Sequence, residues 1–130
     1  MEEMTPEAGA MAVTEAFLAT FNAMEPAGHA ATLAYPHVRF ASGRVRIWET
    51  IDEATAAMER NMPALRNMGW DHSRWDHRNV IHAREDKVHL DVQFTRYRED
   101  ESAIGVYPAV YVVVLQDGDW LIQARSSFAP

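Results

Sequence analysis

The sequence predicts an α+β fold in which N-terminal helices pack on a curved antiparallel sheet, and three observations carry that reading. Before Gly69, segments such as Ala10, Thr14, Phe17, Leu18, Phe21 and Met24 place apolar residues at helical spacing. From Trp70 onward the period becomes two and stays there. Asp117-Gly118, between β-branched and aromatic runs, marks a tight hairpin, because both residues of a type I′ turn must accept positive φ. Helices first and strands afterwards is an α+β order.

Taken in order, Thr5 before Pro6 and Glu7 reads as an N-cap, a proline at the first helical position and an acidic first turn, opening a helix to about Met24. Pro26 starts a shorter helix through about Leu33, and Tyr35-Pro36 then forces extended backbone. His37–Ala41 and Arg44–Trp48 alternate around Ser42-Gly43 as a small hairpin, with Val38, Phe40, Val45 and Ile47 expected on the buried side and His37, Arg39, Arg46 and Trp48 on the other. Thr50 and Glu53 form a capping box for a helix carrying Ile51, Met58, Met62 and Leu65, with a kink or new turn expected at Pro63 and a stop at Gly69. Four strands follow, Trp75–Arg84, Val88–Arg98, Tyr107–Gln116 and Asp119–Phe128, as an antiparallel meander.

With 130 residues, 48% hydrophobic and 24% charged, the whole chain, 1–130, reads as one domain with a core of its own. A net charge of -7 with no Lys/Arg run argues against nucleic acid or anionic membrane as partner, and penalises a neutral or cationic ligand less. The absence of cysteine excludes disulfides and thiolate chemistry. The acidic N-terminus and the lack of a long apolar stretch lead to the expectation of a cytoplasmic protein.

Strand register then assigns faces. A turn at Glu85-Asp86 sets Ala83 beside Val88, Ile81 beside Leu90, Asn79 beside Val92, His77 beside Phe94 and Trp75 beside Arg96. Matching polarity sets Arg96 against Tyr107 and Val92 against Tyr111, and the Asp-Gly turn sets Val113 against Ile122, Tyr111 against Ala124, Ala109 against Ser126 and Tyr107 against Phe128. The inward face is plain core at one end. At the other, Trp75, His77, Asn79, Phe94, Arg96, Tyr107, Tyr111, Ser126 and Phe128 mix aromatic rings with donors and acceptors, the composition of a ligand pocket. The plainer reading is an open rim where Arg96 snorkels to water and His77 and Asn79 bond local backbone.

Phe94-Thr95-Arg96-Tyr97-Arg98, Ile104-Gly105-Val106-Tyr107, Tyr111-Val112-Val113, Gly118-Asp119-Trp120 and Arg125-Ser126-Ser127-Phe128, set after helices, resemble the NTF2-like superfamily, including its SnoaL-like and ketosteroid isomerase-like cones. The resemblance is nearest to small bacterial proteins whose ends run FTRYR, YVV, GxW and RSSF. It implies a cystatin-like cone with a pocket between sheet and helices, and a homodimer through the outer sheet face. Fold does not settle chemistry, since this superfamily hosts isomerases, dehydratases, cyclases, an epoxide hydrolase and non-catalytic association modules. The isomerase pattern needs a carboxylate base and an acidic oxyanion donor inside the cone, and the derived inward face has no Asp or Glu. A dehydratase-like arrangement would use a pocket histidine with tyrosines.

Metal readings are weak. His72 and His77, in the echo Trp70-Asp71-His72 and Trp75-Asp76-His77, fall on opposite faces of an extended strand, and His82, His89 and Asp91 read as an exposed cross-strand group. No phosphate loop, HExxH or GxSxG occurs, and no cofactor is expected. The sequence thus predicts a small apolar or aromatic ligand held by Trp75, Asn79, Phe94, Arg96, Ser126 and Phe128. If there is catalysis, His77 transfers protons, Arg96 anchors an anion or carbonyl, and Tyr107 and Tyr111 orient the substrate. The competing reading is a non-catalytic binding or dimerisation module whose inner face is only core. Val110, Val112, Val114, Leu121 and Arg125 mark the expected dimer surface.

Overall fold

Thr5 caps the first helix as its place before Pro6 predicts, its Oγ1 accepting the Ala8 N–H at 3.1 Å. In the computed structural model, which describes residues 4–130, the elements follow in the order α1 (Pro6–Asn22), α2 (Pro26–Ala30), β1 (Leu33–Ala41), β2 (Arg44–Trp48), α3 (Ile51–Asn67), β3 (His72–Arg84), β4 (Lys87–Tyr97), β5 (Ala103–Gln116) and β6 (Asp119–Ser127). Helix α2 ends three residues before the expected Leu33, which opens a strand instead: backbone Ile122 N–H binds Thr32 C=O at 2.9 Å and draws the chain into the sheet. Helix α3 runs unbroken through Pro63, and its Thr50 Oγ1 accepts the Glu53 N–H at 3.2 Å. The reciprocal half of the box is displaced by one residue, because the Glu53 carboxylate takes the Glu49 amide at 2.7 Å.

The six strands form one sheet in the order β2-β1-β6-β5-β4-β3. All neighbours are antiparallel except β1 and β6, so the sheet is mixed rather than purely antiparallel. The expected turns hold, with Arg84 opposite Lys87, Gln116 opposite Asp119 and Ala41 opposite Arg44. Between β4 and β5, Phe94 pairs with Tyr107, Val92 with Ala109 and Leu90 with Tyr111, two residues away from the expected register. A shift of two preserves the side-chain face, so Val88, Leu90, Val92, Ala109, Tyr111 and Val113 point inward as expected and are buried.

Bulges overturn the faces elsewhere. Asp76 and Ile81 in β3 and Gln123 in β6 each stand as an extra residue opposite a continuous partner strand, and each reverses the alternation beyond it. Arg78 pairs with Val92 and Val80 with Leu90, so His77, Asn79 and Ile81 leave the inward face. Past Gln123, Tyr111 pairs with Arg125 and Ala109 with Ser127, turning Arg125 inward while Ala124 and Ser126 face outward. The β1–β2 hairpin is inverted as well. His37 is fully buried and Trp48 packs on the core, whereas Phe40, Val45 and Ile47 are exposed.

Helix α1 lies across the sheet with Ala10, Val13, Thr14 and Phe17 buried. Polar contacts fasten it: Arg78 Nη1 donates to Met11 C=O and Thr14 Oγ1, each at 3.1 Å, and Trp75 Nε1 donates to Thr14 C=O at 3.2 Å. At its C-terminal end the Asn22 amide exchanges two 2.9 Å hydrogen bonds with the Ser73 backbone, as a neighbouring strand would. Near its start, Gly9 sits directly on the Trp120 indole, and a Cβ there would overlap the ring. Gly9→Ala gains up to about 1 kcal/mol in helix propensity, but the forced displacement of Trp120 costs about 1–3 kcal/mol. Chemical denaturation is expected to show net destabilisation, with the sign reversed in a Trp120→Leu background where the collision is absent.

Candidate functional site

A cavity of about 510 Å³ lies between the inner sheet face and helices α1 and α3, inside the range of roughly 300–1,000 Å³ usual for ligand pockets. Small Ala54 and Ala57 on α3 leave the space, and Phe17, Trp48, Trp75, Phe94 and Tyr111 furnish an aromatic lining. The rings interlock: Tyr111 meets Phe17 and Trp75 edge-on at centroid distances of 5.6 and 5.8 Å, and Trp75 meets Phe94 edge-on at 6.0 Å. Met58, Met62 and Leu65 complete the helical wall.

Of the residues expected to form the site, Trp75, Phe94, Arg96 and Tyr111 line this cavity together. Tyr107 stands behind it, its ring 5.0 Å from the Arg96 guanidinium carbon and its hydroxyl folded onto Gly105. His77 faces away, because the Asp76 bulge reverses β3, and its Nε2 lies 3.4 Å from Asp91 Oδ1. Asn79 is exposed on the same outer face. Ser126 points outward past the Gln123 bulge and Phe128 is 77% exposed, so neither reaches the pocket. A proton-transfer role for His77 inside the cavity is thereby excluded by geometry.

Residues not foreseen there take their place. His29, Arg39, Arg44, Arg46, Trp48 and Arg125 all line the cavity. For Arg39, Arg46 and Trp48 a signal existed, since the hairpin's alternation puts them on one side together; the error lay in giving that side to solvent. For Arg125 the signal is absent, because a bulge of one residue leaves no compositional mark. Arg125 also leaves the expected dimer surface by the same reversal. Among the described residues no Asp or Glu lines the cavity, so the side-chain charge there is opposite in sign to the chain's net -7. Net charge alone, from which the expectation of a neutral or cationic ligand was drawn, does not describe the charge lining this cavity.

Beneath the lining, His37 is held at both ring nitrogens. Nδ1–H donates to Ile122 C=O at 2.8 Å, which leaves Nε2 to accept the Arg125 Nε–H at 3.0 Å. Burial, with the Arg125 charge adding to it, pushes the pKa of His37 down to about 3. The same two causes push His29 down to about 3, and its Nδ1 lies 2.9 Å from Phe17 C=O. Both imidazoles are neutral in the fold. Burial also lowers the pKa of Arg125 and raises that of Tyr111, whose phenol lies against the guanidinium, so Tyr111 stays protonated. Burial first, and the Arg125 charge second, bring Arg39 down to about 10.

The two histidines make stability depend on acid. Their folded pKa values lie below the ordinary 6.5, so the unfolded chain binds more protons in between. Stability is full above about pH 6.5 and is lost as pH falls toward 3, by about 1.4 kcal/mol per pH unit for each histidine. Thermal denaturation followed from pH 7 to pH 4 is expected to show this decline, and His37→Gln is expected to flatten it.

Comparison with known proteins sets the fold in a family. Solved structures superpose over nearly the full chain at low identity. An NTF2-like protein with a cystatin-like fold from Novosphingobium aromaticivorans gives a TM-score of 0.78 at 9% identity, covering 95% of this chain and 80% of its own. An NTF2-like protein of unknown function from Pseudomonas putida gives 0.74 at 20% identity, with 98% and 89% covered. A ketosteroid isomerase-like protein from Erwinia carotovora atroseptica gives 0.68 at 16%, with 95% and 96% covered. None of the curated proteins matches the sequence. Residues 7–127 match the model of the NTF2-like protein family DUF6841, and the chain belongs to that family.

Proposed function

We propose that this protein binds a small organic molecule in the cavity between α1, α3 and the inner sheet face, and that it does so as a homodimer. The observation that carries the first part is the cavity itself: about 510 Å³, mostly apolar and aromatic, with a few polar groups converging on it. A well-packed core leaves few voids larger than a water molecule, so a space of this size argues against an inner face that serves only as core. Binding is favoured over proton-transfer catalysis of the ketosteroid isomerase kind. Such a reaction needs a base with a free lone pair facing the substrate. Among the described residues no Asp or Glu side chain lines the cavity, and its one histidine, His29, binds Phe17 C=O through Nδ1 and has its pKa pushed down to about 3 by burial, which makes it a poor base.

A thermal-shift screen of small aromatic and aliphatic compounds tests the reading, run on wild type beside Ala57→Phe. Ala57 is buried and lines the cavity, so phenylalanine there fills it. Compounds that raise the melting temperature of wild type are expected to lose most of that effect in the variant. If nothing stabilises wild type, or if the variant responds equally, the ligand reading is wrong.

The second part rests on the outer sheet face. Phe40, Val45, Ile47 and Val110 are exposed there, next to the half-buried Val112, Val114 and Leu121. Strand pairing joins them into one surface, with Ile47, Val38, Ala124 and Val112 in one row and Val45, Phe40, Ser126 and Val110 in the next. An apolar surface of this breadth on a soluble chain is the mark of a contact with another protein, and a twofold pairing of the same face would cover it. Sedimentation equilibrium at micromolar concentration is expected to return a dimer for wild type and a monomer for Val110→Asp. A monomeric wild type would remove this part of the proposal.

A further inference from the structure

We infer that the ligand of this cavity is an amphipathic organic anion, a carboxylate-type head group on an apolar body, seated with its charge on Arg39, Arg96 and Arg125. This deepens the binding reading above and rests on it. Strand pairing sets Arg46 opposite Arg39, Arg39 opposite Arg125, and Arg125 opposite Tyr111, so three guanidinium groups occupy one row of the inner face. Like charges directly across a sheet destabilise it. Arg96 approaches from β4, near enough that its charge also weighs on Arg39.

Among the described residues no acidic side chain lines the cavity beside this row. Among the described residues, the arginines that pair with carboxylates are Arg74 and Arg78 on β3, neither of which lines the cavity. Arg39 donates Nη2–H to the Ala129 C=O at 3.1 Å, and Arg125 spends Nε–H on neutral His37. Tyr111, held protonated by burial, cannot serve as an anion. Arg96 is the telling member: it is only 8% exposed, and its buried Nε has no hydrogen-bond partner. A snorkelling arginine would hold its whole head in water, and here the Nε side of the head is sealed from it. Burying a cation without an anion is costly. A planar oxyanion answers the cost, because guanidinium forks bind it with paired hydrogen bonds.

The rest of the cavity describes the ligand's other end. Trp75, Phe94 and Phe17, with the methionines of α3, offer apolar area and no further charge. A fully charged molecule such as a polyphosphate would leave this part unmatched. A molecule with one acidic end and a hydrocarbon or aromatic body satisfies both parts.

The test compares two fluorescent probes of similar shape on the wild-type chain, anionic 1-anilinonaphthalene-8-sulfonate and neutral N-phenyl-1-naphthylamine, with decanoate and 1-decanol as competitors. The inference expects one anionic probe per chain, bound at least ten-fold more tightly than the neutral one, and displaced by decanoate but not by decanol. Arg96→Met is expected to lower that ratio about ten-fold, and Arg96→Lys to restore part of it. If the neutral probe binds as tightly as the anionic one, or decanol competes as well as decanoate, the anion inference fails while the cavity reading stands. If neither probe nor decanoate binds, both fail. The wild-type comparison decides even where a variant does not fold.

Discussion

The hydrogen bond from His37 Nδ1–H to the Ile122 carbonyl ties down the point on which the interior turns. Ile122 immediately precedes Gln123, the residue that β6 inserts against a continuous β5. A bulge interrupts the ladder and needs other partners to hold its shape. Here β1 provides them, His37 at the Ile122 carbonyl and the Pro36 carbonyl for the Gln123 side-chain amide. The consequence is the direction of Arg125. Without the extra residue the alternation would send Arg125 to the outer face, and the cavity would lose the guanidinium that lies 5.1 Å from the Phe17 ring centre and leans on Tyr111. His37 then serves twice, since the nitrogen opposite the carbonyl accepts Arg125 Nε–H and fixes the side chain it has helped to turn inward.

This arrangement sets electrostatics against packing, and packing has priority. A chain of net charge -7 carries arginines on its inner surface, with the Asp and Glu side chains of the described residues elsewhere. Average charge therefore says little about the partner of a concave site, where the groups within a few ångströms dominate and low polarity weakens screening. The two buried histidines belong to the same balance. Burial makes both neutral, and the Arg125 charge makes them more so, so neither adds to the positive total. The interior is as cationic as its guanidinium groups and no more.

The helices, the turns and the faces of β4 and β5 are legible in the sequence, and the faces of β3, β6 and the β1–β2 hairpin are not. Strands β4 and β5 place Val88, Leu90, Val92 against Ala109, Tyr111, Val113, a one-sided pattern that survives a register error of two. In β3 and β6 the alternation is broken by Asp76, Ile81 and Gln123, and parity carried through a bulge inverts each residue up to the next bulge. His77 and Asn79 looked interior and Arg125 exterior for that reason alone. The hairpin failed on a different assumption. Putting its apolar side inside is the ordinary choice, but a protein whose β1–β2 hairpin gives arginines to a cavity on one face of its sheet and apolar residues to the other reverses it.

That reversal joins the two surfaces of the molecule. On β1 and β2 consecutive residues alternate between them, Arg39, Arg46 and Trp48 toward the cavity, Phe40, Val45 and Ile47 toward the outside. Neither surface can be altered by register independently of the other: a slip of one residue would turn the arginines outward and put the valine and isoleucine in their place in the cavity wall. The short Ser42-Gly43 turn, with both residues at positive φ, prevents that slip by fixing Ala41 opposite Arg44. Cavity charge and outer apolar surface are thus held by the same two-residue turn, and a chain that keeps one keeps the other.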